Sequence, residues 1–186
     1  MRPIQRWRES LITETLFSSG IIAYPTEGVW GLGCEPSSAT AVSRLLRLKQ
    51  RSPEEGLILI AASILQLEPY LAGIDVKMRN VLLRNWPGPT TYLVPDNGAA
   101  PNWIVGRHTT LALRVSTHPI VRWLCTINNG PLVSTSANIS GRPSARSIRQ
   151  IKQYFGKQID LIVPGDLGGA PGPSKIKNLA TGEIVR

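Results

Sequence analysis

The stretch SSATAVSRLLRLKQRSPEEGLILIA, residues 37–61, changes from one periodicity to another within a few residues. Ala41, Val42, Leu45, Leu46 and Leu48 recur at helical spacing, and Ser37 or Ser38 stands where an N-cap is needed. Pro53 ends the pattern, because the residue before a proline is driven out of the helical region. LILIA at 57–61 then reads as a buried strand. A helix over about 38–50 feeding such a strand is the repeating unit of an α/β domain.

The alternation extends in both directions. Strands are expected at 21–24 (IIAY), 91–94 (TYLV), 110–115 (TLALRV), 132–136 (LVSTS) and 160–164 (DLIVP), and helices at about 5–18, 76–86, 118–128 and 146–155. Several strands lie too close together for regular βαβ units, so the expected sheet is mixed and strongly twisted, flanked by helices. Gly20, Gly130 and Gly156 each follow a helical pattern, where a positive φ costs glycine little. With no internal repeat, low-complexity stretch or long linker, residues 1–186 read as one domain.

Composition narrows the partners. Twenty-one Lys and Arg against twelve Asp and Glu give a formal charge of +9, with a pI near 10.2. Such an excess favours polyanions through phosphate contacts and counterion release. The cations also cluster: Arg44, Arg47, Lys49 and Arg51 in one group, Arg142, Arg146, Arg149 and Lys152 in another. Two cysteines make neither a disulfide framework nor a four-ligand zinc site, and two histidines lack metalloprotease spacing. With no secretion signal and no apolar run of bilayer length, the expectation is a reduced cytoplasmic domain without a metal cage or membrane partner.

Several familiar sites are missing. There is no GxxxxGK[ST] loop; GLGC at 31–34 does not complete GxGxxG; and LVSTSAN does not form GxSxG. Four polar segments instead lie at strand ends. In AYPTEGVWGLG (23–33), Pro25 and three glycines imply a turn from which Thr26 and Glu27 project. In LKQRSPEEG (48–56), Lys49 and Arg51 can converge on phosphates, or simply complement a helix C-terminus. Arg114, set among the apolar residues of ALRV, needs either an anionic ligand or a salt bridge. STSANISGRPS (134–144) reads as a ligand loop or a polar turn. Such an inventory, rich in donors and without an evident nucleophile, suits positioning and charge neutralisation of phosphates.

AYPTEGVWGLGCEP, RLLRLKQRSPEEGLILIA, NWPGPTTYLVP, LALRVSTHP, PLVSTSANISGRP and PGDLGGAPGPSKIKN, in this order, resemble the threonylcarbamoyl-AMP synthase family, the YrdC/TsaC group. The likeness covers roughly residues 9–186 and is to the short, single-domain bacterial form. It implies a YrdC-like fold with a basic concave face. It also implies condensation of L-threonine, bicarbonate or CO2, and ATP to threonylcarbamoyladenylate and pyrophosphate, by a nucleotidyltransferase serving tRNA modification beside the anticodon. Mg2+ carried with ATP is the implied cofactor. The implied partners are other threonylcarbamoyl-transfer proteins, with tRNA or double-stranded RNA as a further one.

By the same resemblance the KxR motif falls on Lys49 and Arg51 and SxN on Ser136 and Asn138, the expected catalytic and ATP-binding set. Arg146 and the terminal Arg186 are placed with the ATP contacts, although the family commonly has Thr or Ser at the position of Arg146. Thr26, Arg114 and Ser174 form the expected threonine site, with Arg114 on the carboxylate. Further departures are Gly28, where the family usually has a second Thr; Trp30, which supplies the aromatic; and Glu55-Gly56, where a basic residue is common. Two other readings stay open on sequence alone. One is a non-catalytic RNA-binding module or ribosome-assembly factor. The other is a carbamoyl-transfer maturation domain, which usually belongs to a longer chain with zinc-type cysteines.

Overall fold

The computed structural model describes the backbone of residues 3–185 and the side chains of residues 8–185. In chain order the elements are α1 (Pro3–Phe17), β1 (Ile22–Pro25), β2 (Trp30–Cys34), α2 (Ala39–Lys49), β3 (Ile58–Ala61), α3 (Glu68–Leu71), α4 (Val76–Asn85) and β4 (Thr90–Pro95). Then follow α5 (Asn102–Val105), β5 (Thr110–Val115), α6 (Pro119–Ile127), β6 (Leu132–Ser136), α7 (Ile148–Phe155), β7 (Leu161–Ile162) and β8 (Lys175–Asn178). The strands form one sheet in the order β7-β1-β2-β6-β3-β5-β4-β8. It is mixed as expected: β1–β7, β3–β5 and β4–β8 are parallel, while the central β6 runs antiparallel to both β2 and β3.

The helix read from residues 37–61 forms as its sequence dictates. Ser38 accepts a hydrogen bond from the Ala41 amide, and Ala41, Val42, Leu45 and Leu46 are buried. These pack with Leu32, Leu59 and Val133 of the sheet and with Ile151 and Phe155 of α7, forming the larger apolar cluster. Burial of each large side chain there contributes about 1.5–3 kcal/mol. Strand alternation sends Ile22, Tyr24, Ile60 and Leu132 to the opposite face, where Ile12 and Leu16 of α1 and Val121 and Leu124 of α6 cover them. On that face, register aligns Ser134 with Gly33 and Ile58, and Ile58 with Ala112. These residues lie beyond the helices' cover, and that uncovered area is where the site forms.

Three expectations are corrected. The turn over 23–33 is a hairpin whose return limb, β2, is itself a sheet strand. Its glycines serve packing: a Cβ on Gly33 would lie 2.6 Å from the Val133 carbonyl and 2.9 Å from the Tyr24 ring. The strand at 160–164 shrinks to Leu161–Ile162 at the sheet edge, because the Asp160 carboxylate accepts from the Ile21 amide at 2.7 Å and pairs with Arg44 at 3.0 Å. Left-handed backbone falls on Ser19 and Asn129, one residue before Gly20 and Gly130, and on Gln50; Gly156 takes positive φ as expected. Gly20 is needed for space, since its Cβ would sit 2.5 Å from the Thr15 carbonyl. The polar strand β8 has no apolar period and was not anticipated.

Candidate functional site

The Lys49 side chain is only 2% exposed although it carries a charge. It lies at the last turn of α2 and reaches the end of β6, where Nζ donates to the carbonyls of Ser136 (2.5 Å) and Asn138 (2.8 Å). The backbone reciprocates, with the Ser140 amide donating to the Lys49 carbonyl at 2.8 Å. Asn138 is equally committed: Oδ1 accepts from the Ser136 hydroxyl at 2.7 Å, and Nδ2 donates to the carbonyls of Ile139 (3.0 Å) and Arg142 (2.9 Å). Lys49, Ser136 and Asn138 are therefore one network, and it holds the loop after β6 in a single shape.

Arg51 shares a cavity with Ser136 but is bonded elsewhere. Its Nη2 donates to the Gly56 carbonyl at 3.0 Å, and its side chain lines a cavity of about 260 Å³. The cavity floor is the uncovered sheet face, Ile58, Ala112 and Leu93, and its walls include Ile104, Val105, Ile176, His108 and Ser136. An apolar slot with cationic and hydroxyl groups at its margin suits a flat heterocycle carrying an anionic tail. His108 was set aside with His118 on sequence grounds because the two lack metalloprotease spacing, yet the α5–β5 connection carries His108 into this wall.

A second, narrower pocket of about 40 Å³ adjoins the first across Ile58, Ser134, Thr135 and Ser136. Thr26, Arg114 and Ser174 all line it, with Trp30 and Gly31. The Thr26 hydroxyl donates to the Val29 carbonyl at 2.7 Å, closing its own turn. The Ser174 and Thr91 hydroxyls are 2.9 Å apart, which ties the C-terminal segment to β4. The three residues expected to share a site are thus brought together from three distant parts of the chain.

The salt bridge weighed for Arg114 is present, and its partner is Glu27. Nη2 lies 2.7 Å from Glu27 Oε2, Nε donates to the Gly88 carbonyl at 3.3 Å, and both side chains are buried. Glu27 Oε1 accepts from the Ser116 hydroxyl at 2.7 Å and the Thr117 amide at 3.1 Å. Burial alone pushes the Glu27 carboxyl up, but the Arg114 guanidinium and the hydrogen bonds from Ser116 and Thr117 outweigh it. The net shift is downward, so the carboxylate stays ionised. Sequence reasoning placed Glu27 in the projecting turn but did not pair it with Arg114. The available signal was a scarce acid in a glycine-rich turn of a chain whose buried arginine needed an anion.

The remaining expectations separate. The Arg146 guanidinium donates to the Pro171 carbonyl at 3.1 Å and is not among the residues lining the larger cavity. Arg186 lies outside the described residues, although its neighbour Val185 lines that cavity. Cys34 and Cys125 are buried, and burial pushes both thiols up to about 12, so neither is a ready nucleophile. Among the described residues no cluster of three or more His, Cys, Asp or Glu side chains could hold a metal ion, and no helix is long and apolar enough to cross a membrane.

The Sua5/YciO/YrdC family model, described as "Telomere recombination", matches residues 14–186. The chain is 53% identical over 166 residues to a protein of Chromohalobacter salexigens named threonylcarbamoyl-AMP synthase, covering 89% of each. It is 49% identical over 180 residues to one of the same name from Stutzerimonas stutzeri, covering 97% of each. Among solved structures, it is similar to P. abyssi Sua5 complexed with L-threonine, with a TM-score of 0.88 and 31% identity. That likeness covers 97% of this chain and 54% of the Sua5 chain, about half its length.

Proposed function

The chain belongs to the Sua5/YciO/YrdC family, and on that premise we propose that it condenses L-threonine, bicarbonate or CO2, and ATP to L-threonylcarbamoyladenylate and pyrophosphate, for tRNA modification. One observation supports this most. The pocket lined by Thr26, Arg114 and Ser174 adjoins the larger cavity through Ser134, Thr135 and Ser136, so an amino acid and a nucleotide would meet over the end of β6.

In this reading threonine occupies the narrow pocket, its carboxylate held by Arg114 donors that Glu27 and Gly88 leave unused. The free amine adds to CO2 and loses a proton, giving a carbamate. A carbamate oxygen attacks the α-phosphorus of ATP; a new P–O bond forms, the bond to the β-phosphate oxygen breaks, and pyrophosphate leaves with its electron pair. That chemistry makes the protein a nucleotidyltransferase, with no residue of the chain covalently engaged. Adenine lies on the apolar floor of the large cavity, and Arg51 neutralises charge on the phosphates. The Ser136 hydroxyl orients the reacting groups, while Lys49 and Asn138 hold the loop that presents it. Mg2+ would arrive on the triphosphate and add charge neutralisation there, with Glu55 the acidic side chain in the lining of the larger cavity and no cluster of three or more His, Cys, Asp or Glu among the described residues to hold the ion independently.

The test is pyrophosphate release that requires both threonine and bicarbonate; release independent of either sinks the reading. The exposed Arg142, Arg149 and Lys152 favour contact with tRNA, or with double-stranded RNA, alongside the proteins that transfer the threonylcarbamoyl group. A cytoplasmic location follows from the same role.

A further inference from the structure

Residues 164–174 (PGDLGGAPGPS) join β7 to β8 across the narrow pocket, with Pro173 and Ser174 in its wall. The backbone of this segment is bonded at two points to the turn that carries Thr26. The Gly168 amide donates to the Thr26 carbonyl at 3.1 Å, and the Ala170 amide to the Glu27 carbonyl at 2.8 Å. The Asp166 carbonyl lies 3.0 Å from His118 Nε2, and the Pro171 carbonyl accepts from Arg146 at 3.1 Å.

This close seating depends on two missing side chains. A Cβ on Gly28 would lie 1.9 Å from the Gly172 carbonyl oxygen and 3.1 Å from that of Ala170, both backbone atoms that no rotamer change can move. A Cβ on Gly168 would come within 2.9 Å of Glu27 Cα. To bring Gly28's new atom to ordinary contact at 3.4 Å, the segment must rise by about 1.5 Å. Gly172 itself is different: a Cβ there meets nothing within 4 Å.

We infer that residues 164–174 form a seated strap, and that Gly28, by letting it seat, sets the size limit on the amino acid admitted beneath it. This rests on the functional reading above. A pocket of about 40 Å³ holds roughly three water-sized groups, so a lift of that size changes its capacity by a large fraction. Gly28 is a specificity-determining position although it offers no side chain to the substrate.

The probe is β-hydroxynorvaline, which is threonine lengthened by one methylene. Wild-type protein should prefer threonine by a factor of about 10–200 in kcat/KM, the usual worth of one methylene in a fitted pocket. Gly28→Ala should raise the threonine KM about tenfold with a smaller change in kcat, and narrow that preference at least about fivefold. Exchange of the Gly168 and Ala170 amides should accelerate in parallel, whereas Gly172→Ala should keep wild-type selectivity. If Gly28→Ala does not fold, Gly168→Ala, which lifts the strap from the same turn, carries the same measurements. Unchanged KM and selectivity in the folded variant, or relaxed selectivity in Gly172→Ala as well, overturns the inference. Absence of threonine-dependent pyrophosphate release by the wild-type protein overturns the functional reading instead.

Discussion

The two adjoining pockets are built on different principles. The larger, about 260 Å³, is apolar-floored, and its guanidinium, Arg51, donates to the Gly56 carbonyl and lies 3.5 Å from the half-exposed Glu55 carboxylate at the margin. The smaller, about 40 Å³, is arranged around a buried ion pair, Arg114–Glu27, anchored by hydroxyl and amide donors before any ligand arrives. The large pocket selects by shape and leaves its charge near solvent. The small one fixes a charge in place at the cost of desolvation, which its hydrogen bonds offset. A small polar substrate offers little area to bury, so a preset charge carries its recognition; a nucleotide offers a wide ring and needs less.

Breaking the ion pair should show this contrast most strongly. Arg114→Leu leaves Glu27 buried without its counter-ion and should destabilise the fold by about 3–5 kcal/mol in urea unfolding, with threonine binding lost. Arg51→Leu should leave stability within about 1 kcal/mol and act on ATP turnover. An equal stability loss in both variants would erase the distinction drawn between the pockets.

Lys49→Ala should come next. By misplacing the loop that presents Ser136, the substitution should lower kcat about 10²-fold. Since Lys49 holds carbonyls of the loop after β6, that loop's amides should also exchange faster. Wild-type pyrophosphate release would remove Lys49 from the mechanism.

Acid should then act on the small pocket first. The folded Glu27 carboxyl is held below its ordinary 4.5, so it binds fewer protons in the folded than in the unfolded state. Its contribution to stability is present above about 4.5 and is lost as pH falls through the lower folded value. Urea midpoints measured between neutrality and pH 3 should fall less steeply for Glu27→Gln than for wild type. Parallel slopes would show that the pair does not govern acid sensitivity. The smallest effect is expected from Arg146→Ala, which removes one exposed hydrogen bond to the strap, worth about 0.5–1.5 kcal/mol. Threonine KM should move slightly more than ATP KM; the reverse order would return Arg146 to the nucleotide.

Legibility followed the range of the interactions. The helix over 39–49 and the strand at 58–61 were readable because capping and apolar spacing are local. Thr26, Arg114 and Ser174 were placed through the family resemblance, since nothing local connects residues so far apart, and the structure sets them around one pocket. The strand β2 was read as a turn, because glycine is a turn residue by propensity and only the Tyr24 ring lying against Gly33 explains it as a strand. KxR and SxN were expected to form one catalytic and ATP-binding set. In the folded chain Lys49 is tied to the Ser136–Asn138 loop, and Arg51 lines the larger cavity together with Ser136.

By itself, then, the sequence determined an α/β domain with a mixed sheet, the basic balance that favours anions, and a buried Arg114 that required one. Tertiary structure alone decided that the anion is Glu27, 87 residues away, and that Gly168 and Ala170 bond to the backbone of the turn carrying it. The reason is physical. A helix cap or an apolar period is settled within a few residues, whereas a buried charge takes whichever partner the strand register and loop packing bring within 3 Å, a choice made only when the sheet closes.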